Sequence, residues 1–203
     1  MLDKQLRQIK EDALQPLARA TGAYLSPTAI TLMGGVAGVS AAGCALMGWY
    51  GIGLGLWLLN RVLDGLDGTV ARICNQQSDL GSYIDILTDN VVYALIPVAL
   101  ALSVSTMPVY MALGVLLASF YVNSASWMFL SALLEKRKQG ASLNQEMTSV
   151  TMPAGLIEGT ETIIFYVLFF ACPGILDLLF ALMGVLVWVT IVQRMWWAQR
   201  HLA

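Results

Sequence analysis

The chain is expected to be an all-α polytopic membrane protein, six transmembrane helices preceded by an N-terminal interfacial amphipathic helix, and three observations predict it. Of its 203 residues 58% are hydrophobic and only 12% charged, where a soluble domain carries about 25% charged. Mean hydropathy is +0.70. Apolar stretches near or above the roughly 20 residues that cross a bilayer as a helix recur along the whole length. Residues 1–203 read as a single membrane domain, with 1–25 as a juxtamembrane segment and 26–203 as the six-helix bundle.

Residues 1–25 place Leu2, Leu6, Ile9, Ala13 and Leu17 at helical spacing, with Lys4, Arg7 and Lys10 largely off that stripe. This is the pattern of a helix lying on an anionic leaflet, with a solvated helical lead-in as the alternative. The segment has no apolar core, so a cleavable signal peptide is not expected. The six spans are 26–48, 52–74, 79–103, 107–134, 153–171 and 174–197. Gly48 to Gly51, Ser105 to Pro108 and Cys172 to Gly174 are short enough only for hairpin turns. The longer connections, including the polar stretch Glu135 to Pro153, fall on the other face. That stretch reads as a solvated linker or as a lid.

All eleven Lys and Arg lie on the N-terminal side or in helix halves facing it, and none lies in the three hairpin turns. By the positive-inside rule both termini are cytoplasmic. The net charge is -2, and the basic residues form no continuous stripe, so a nucleic-acid partner is excluded. Cys44, Cys74 and Cys172 sit in different spans or turns without metal-ligand spacing and read as packing residues.

The second and third spans are interrupted by charge. On a helix Asp64, Asp67, Gly68, Ala71 and Arg72 share one face, and so do Gly81, Asp85 and Asp89. The turn around Asn75 to Ser78 makes the two helices antiparallel neighbours. At the helical rise Asp64 and Asp89 lie about 15 Å from that turn, and Asp67 and Asp85 about 10 to 12 Å. Asp64 is thus expected to face Asp89, and Asp67 to face Asp85. Four carboxylates together in a membrane demand neutralisation, and Arg72 alone is too little. Two divalent cations would balance them, and all-oxygen ligands suit Mg2+, Mn2+ or Ca2+. Such a cluster beside an arginine is chemistry for phosphate. Gly65, Gly68, Ala71 and Gly81 leave room for a base or a diphosphate. Alone they would read as close helix packing.

Residues 64 to 89 read DxxDGxxARx8GxxxDxxxD without exception. The string resembles the signature of the CDP-alcohol phosphotransferase (class-I phosphatidyltransferase) family, and the length and six spans are similar throughout. The stretch Gly155 to Ile163 further resembles the YnjF-like bacterial subgroup. The resemblance implies transfer of a phosphatidyl group from CDP-diacylglycerol to an acceptor hydroxyl with release of CMP, a step of phospholipid biosynthesis. It implies Asp64, Asp67, Asp85 and Asp89 as ligands of two Mg2+ or Mn2+ ions, with Asp89 also the general base. Gly68, Ala71, Arg72 and Gly81 would line the CDP pocket. Ser26 to Thr31 is similar to the family's opening of the first span, with Thr28 in place of its asparagine, and brings Thr31 to the donor phosphates. A homodimer in a bacterial inner membrane, with the site on the cytoplasmic side, is implied as well.

Acceptor candidates are Glu158 and Glu161 in the fifth span and Lys136 and Arg137 after the fourth. Intramembrane carboxylates need a partner. The two glutamates either pair with Arg61 or Arg72 or meet the acceptor, and their charge favours a neutral polyol or amino alcohol. The basic pair reaches an acceptor phosphate or anchors the helix end. Gly34-xxx-Gly38 and Gly51-xxx-Gly55 read as helix contacts. The alternative within the family uses a CDP-aminoalcohol donor and diacylglycerol as acceptor. The rival from another class is a divalent-cation transporter, against which the apolar outer halves of spans two and three argue.

Overall fold

A computed structural model describes residues 14–137 and 155–202. Among them the chain is helical and has no strand. Its helices are α1 (14–21), α2 (Pro27–Leu46), α3 (Tyr50–Ile73), α4 (Asp79–Val104), α5 (Met107–Lys136), α6 (Gly159–Ala171) and α7 (Leu176–Leu202). A 3-10 turn, Pro173–Ile175, leads into α7.

Among the described residues four segments are long and apolar enough to cross a membrane: α2, α4, α5 and the run Pro173–Leu202. The 24 residues of α3 give it the length, but its second half carries Asn60, Arg61, Asp64, Asp67 and Arg72. Apolar α6 has only 13 residues. It starts at Gly159, where the sequence places a span from 153, because residues 155–158 hold a bonded non-helical turn. There the Glu158 carboxylate accepts from Gly155 N (2.9 Å) and the Glu161 carboxylate from Glu158 N (3.1 Å). The second contact is half of a capping box, which fixes the first turn of a helix. As helices, α2 to α5 agree with the expected limits within two residues, and α7 runs to Leu202 where the sequence ends a span at 197. Of the expected amphipathic helix only the end is described, with Ala18 buried and Leu17 49% exposed. Residues 1–13, the stripe from Leu2 to Ala13 and the stretch 138–154 lie outside the described residues.

Two compact units emerge from the contacts, 14–105 with Val167–Gly174, and 106–137 with 155–166 and 175–202. In the first, α2 packs on both α3 and α4. Packing in lipid rests on close backbone approach at small residues, and here the approach is visible. A Cβ on Gly34 would stand 3.4 Å from Leu63 Cβ of α3, and one on Gly38 would stand 2.5 Å from Val92 of α4. Gly51 and Gly55 have no such neighbour among the described residues. Gly53 takes that part instead, under Phe170 and the Ala41 carbonyl. The turns before α3, α4 and α5 use left-handed backbone at Gly48, Asn75 and Ser105, where glycine or a small polar residue fits. Ala18 of α1 joins Ile30, Leu66 and Val70 in one cluster, which fixes the end of α1 against α2 and α3. In the second unit α5 packs on α7, and Gly184 lets the Val115–Leu116 backbone approach. The three cysteines are free.

Candidate active site

The first unit brings the charged faces of α3 and α4 together against α2. Ser26 and Ser78 start α2 and α4 by accepting hydrogen bonds from Ala29 N and Gly81 N, which satisfies donors that a helix start leaves open. These caps set the register that turns Thr31, Asp85 and Asp89 toward α3. Thr31, Gly34, Asn60, Asp64, Asp67, Asp85, Thr88 and Asp89 line one small cleft. Within it Asp64, Asp85 and Asp89 each offer an oxygen lying within 4.8 Å of the others. The sequence places Asp64 opposite Asp89, and both are in this trio. Asp67 lines the same cleft and is buried, with its Oδ2 accepting the Thr31 hydroxyl at 2.5 Å.

Arg61 puts its guanidinium in contact with the carboxylates, where the sequence puts weight on Arg72. Arg61 is 8% exposed. Its Nη2 donates to Asp89 Oδ1 at 2.6 Å and its Nη1 to Asp89 Oδ2 at 3.3 Å, a bidentate fork. Nη1 also donates to the Tyr93 hydroxyl at 2.8 Å, while Nε and Nη2 donate to Asn60 Oδ1 at 2.9 and 2.7 Å. Asp64 Oδ2 lies 3.8 Å away. The guanidinium stands 4.9 Å from the Tyr93 ring centre, and Asn60 is itself pinned to the Gly34 carbonyl at 2.9 Å. All five N–H groups of Arg61 are thereby engaged by Asn60, Asp89 and Tyr93. Sequence reasoning missed Asn60 and Tyr93 altogether. The signal was there, since Asn60 and Arg61 are a polar pair one helical turn before Asp64.

Arg72 folds back over α3: a Cβ on Gly68 would stand 3.2 Å from its Nη1. The absent side chain of Gly68 is the room in which that guanidinium lies. Ala71, on the same face, is part-exposed. Gly81 keeps a similar space at the start of α4, where a Cβ would stand 2.9 Å from Ser78 Oγ and 3.8 Å from Thr28 Oγ1. The helix ends of α2 and α4, with their open backbone N–H groups, meet at this point. Such ends favour anions.

The oxygen set fits a hard divalent cation. Oxygens around one octahedral Mg2+ at about 2.1 Å lie within about 4.2 Å of each other, so Asp64, Asp85 and Asp89 need to close by only a fraction of an ångström.

The second unit holds the acceptor candidates. Glu158 and Glu161 cap the turn before α6 as described, and Glu158 acts electrostatically on the buried Arg194 of α7. Arg194 Nη1 donates to Asn123 Oδ1 of α5 at 2.7 Å. Ile157 N donates to Thr190 Oγ1 at 2.9 Å, tying the turn to α7. Lys136 and Arg137 are exposed at the end of α5, and Arg137 Nη2 donates to the Leu202 carbonyl at 2.7 Å.

A profile of the family described as CDP-alcohol phosphatidyltransferase matches residues 24–196. The chain is 34% identical over 197 residues to "Inner membrane protein YnjF" of Escherichia coli (strain K12), covering 97% of this chain and 94% of that protein. It is 33% identical over 141 residues to a CDP-diacylglycerol–serine O-phosphatidyltransferase of Mycobacterium leprae, covering 68% of this chain and 46% of that protein. Its fold is similar to crystal structures of Mycobacterium tuberculosis phosphatidylinositol phosphate synthase. The structure with CDP-DAG bound gives a TM-score of 0.69 at 22% identity, covering 90% of this chain and 91% of that one. The structure with manganese and citrate gives 0.69 at 23% identity, covering 90% and 87%.

Proposed function

Because this chain belongs to the CDP-alcohol phosphatidyltransferase family and is an enzyme of that kind, we propose that it transfers a phosphatidyl group from CDP-diacylglycerol to a small acceptor alcohol. The observation that carries this reading is the convergence of Asp64, Asp85 and Asp89 within 4.8 Å beside buried Asp67. Carboxylates in a membrane are costly and mark function. Asp64, Asp67, Asp85 and Asp89 would hold two Mg2+ or Mn2+ ions, which when bound neutralise and polarise phosphate oxygens.

The chain's own residues do the rest. Arg72, lying in the space left by Gly68, and the cradle at Gly81 and Thr28 receive the CDP diphosphate. Thr31 holds Asp67 toward the cleft. The acceptor's hydroxyl oxygen forms a bond to the phosphorus that carries the diacylglycerol, and its proton passes to Asp89. The bond from that phosphorus to the bridging oxygen breaks, and CMP leaves with the electron pair. Arg61 keeps Asp89 aimed during this exchange. Within the second unit part-buried Glu158 acts electrostatically on buried Arg194, and the acceptor class proposed is a neutral polyol or amino alcohol. The enzyme works in a bacterial inner membrane with its site open to the cytoplasm.

The test is turnover of CDP-diacylglycerol by purified protein with glycerol, inositol, serine, ethanolamine or glycerol 3-phosphate, products identified by mass. One acceptor giving its phosphatidyl ester supports the reading. Turnover only of CDP-ethanolamine or CDP-choline with diacylglycerol replaces it with the aminoalcohol reaction.

A further inference from the structure

We infer that Arg61 stands in for one of the two cations, so that the chain without nucleotide takes a single divalent ion and the second enters together with the donor's diphosphate. This deepens the donor reading above and rests on it. Arg61 puts a positive charge among the converging carboxylates, its Nη2 2.6 Å from Asp89 Oδ1 and its Nη1 3.8 Å from Asp64 Oδ2. The charge is permanent, because a guanidinium keeps its proton at any working pH. It is also fixed in place, since Asn60 Oδ1 accepts from Nε and Nη2, the Tyr93 hydroxyl accepts from Nη1, and Asn60 is tied to the Gly34 carbonyl of α2.

Charge balance then ranks the ions. Carboxylates that hold a metal are ionised, so Asp64, Asp67, Asp85 and Asp89 bring four negative charges to the cleft they line. Two divalent ions alone would balance them, but Arg61 already offsets one. With Arg61 in place a first ion leaves one negative charge, and a second would turn the cleft net positive beside a buried guanidinium. Buried charge without a counterion is costly. The diphosphate of a CDP-linked lipid carries two negative charges and removes that cost. Arg61 need not leave Asp89 for this, because a carboxylate offers about four acceptor positions and the fork uses two. Second ion and diphosphate are therefore linked, and each tightens the other by the same factor.

The test is equilibrium dialysis of the full chain in a neutral detergent against Mn2+, with and without cytidine diphosphate, both counted on the protein side and no turnover involved. Wild type is expected to take one Mn2+ per chain without CDP and a second at least about tenfold more weakly, and CDP is expected to tighten that second ion about tenfold or more. Arg61→Met should take two ions without CDP, with CDP changing the second by no more than about threefold. Arg61→Gln, which keeps an N–H for Asp89, should match Arg61→Met and covers the case in which that variant does not fold. Arg61→Lys keeps the charge and should match wild type. Two ions of similar affinity on wild type without CDP overturn the inference, and so does a neutral variant that keeps the wild-type pattern. Retention of CDP by none of these proteins, with one ion on wild type and two on Arg61→Met, would refute the donor reading and leave Arg61 as the stand-in cation.

Discussion

Arg61 grips Asp89 with both ends of its guanidinium, at 2.6 and 3.3 Å, and is itself held through Asn60 to the Gly34 carbonyl of α2. Three helices thus determine where one carboxylate points. Arg61→Met leaves the part-exposed Asp89 carboxylate without its bidentate partner, and a lowered unfolding temperature in detergent is expected. Arg61→Lys keeps the charge and loses the fork. It should restore the unfolding temperature but leave kcat at least about tenfold down, a split that stability and CMP-release measurements resolve.

Thr31 donates to buried Asp67 at 2.5 Å. Hydrogen bonds to charged groups contribute about 1.5 to 3 kcal/mol. Thr31→Val should therefore raise the Mn2+ concentration needed for half-maximal activity about tenfold or more, and Thr31→Ser should leave it near the wild-type value. Metal titration of CMP release checks both.

A Cβ at Gly68 would meet Arg72 Nη1 at 3.2 Å. The guanidinium is a flexible end and can move, and alanine is the better helix former by about 1 kcal/mol. Gly68→Ala should unfold no earlier than wild type, yet show a KM for the CDP-linked donor raised about tenfold because Arg72 is displaced. An unchanged KM in a variant as stable as wild type would refute the role of that space.

Gly38 differs, because its would-be Cβ falls 2.5 Å from Val92 of α4. Overpacking costs about 1 to 3 kcal/mol, so Gly38→Leu should lower the unfolding temperature. Gly55→Leu, at a position with no neighbour within 4 Å, should not.

Much of this was legible in the sequence, for physical reasons. Lipid sorts residues coarsely, so the ends of α2 to α5 can be read from apolar runs and turn residues such as Gly48 and Asn75. The helical period puts Asp64 and Asp67 on one face and Asp85 and Asp89 on another, and the short turn brings the faces together. Arg61 was harder to weigh, since a lone arginine near the charged end of a span also satisfies the positive-inside pattern. Only the geometry shows all its donors engaged. Glu158 and Glu161 show a different limit of the sequence. Read as intramembrane charges they call for Arg61 or a substrate, whereas their carboxylates accept backbone N–H groups at the start of a short helix. Contact glycines cannot be chosen by spacing alone, because Gly51-xxx-Gly55 has the pattern and Gly53 has the neighbour.

The central claim is that the carboxylate cluster drives metal-dependent group transfer, and the most direct measurement is CMP release from CDP-diacylglycerol by wild type and Asp89→Asn, with Mg2+ or Mn2+ and after chelation. Release that requires the metal and falls at least about a thousandfold in Asp89→Asn, while the variant keeps its fold, is expected. Undiminished release without metal, or from Asp89→Asn, would contradict it.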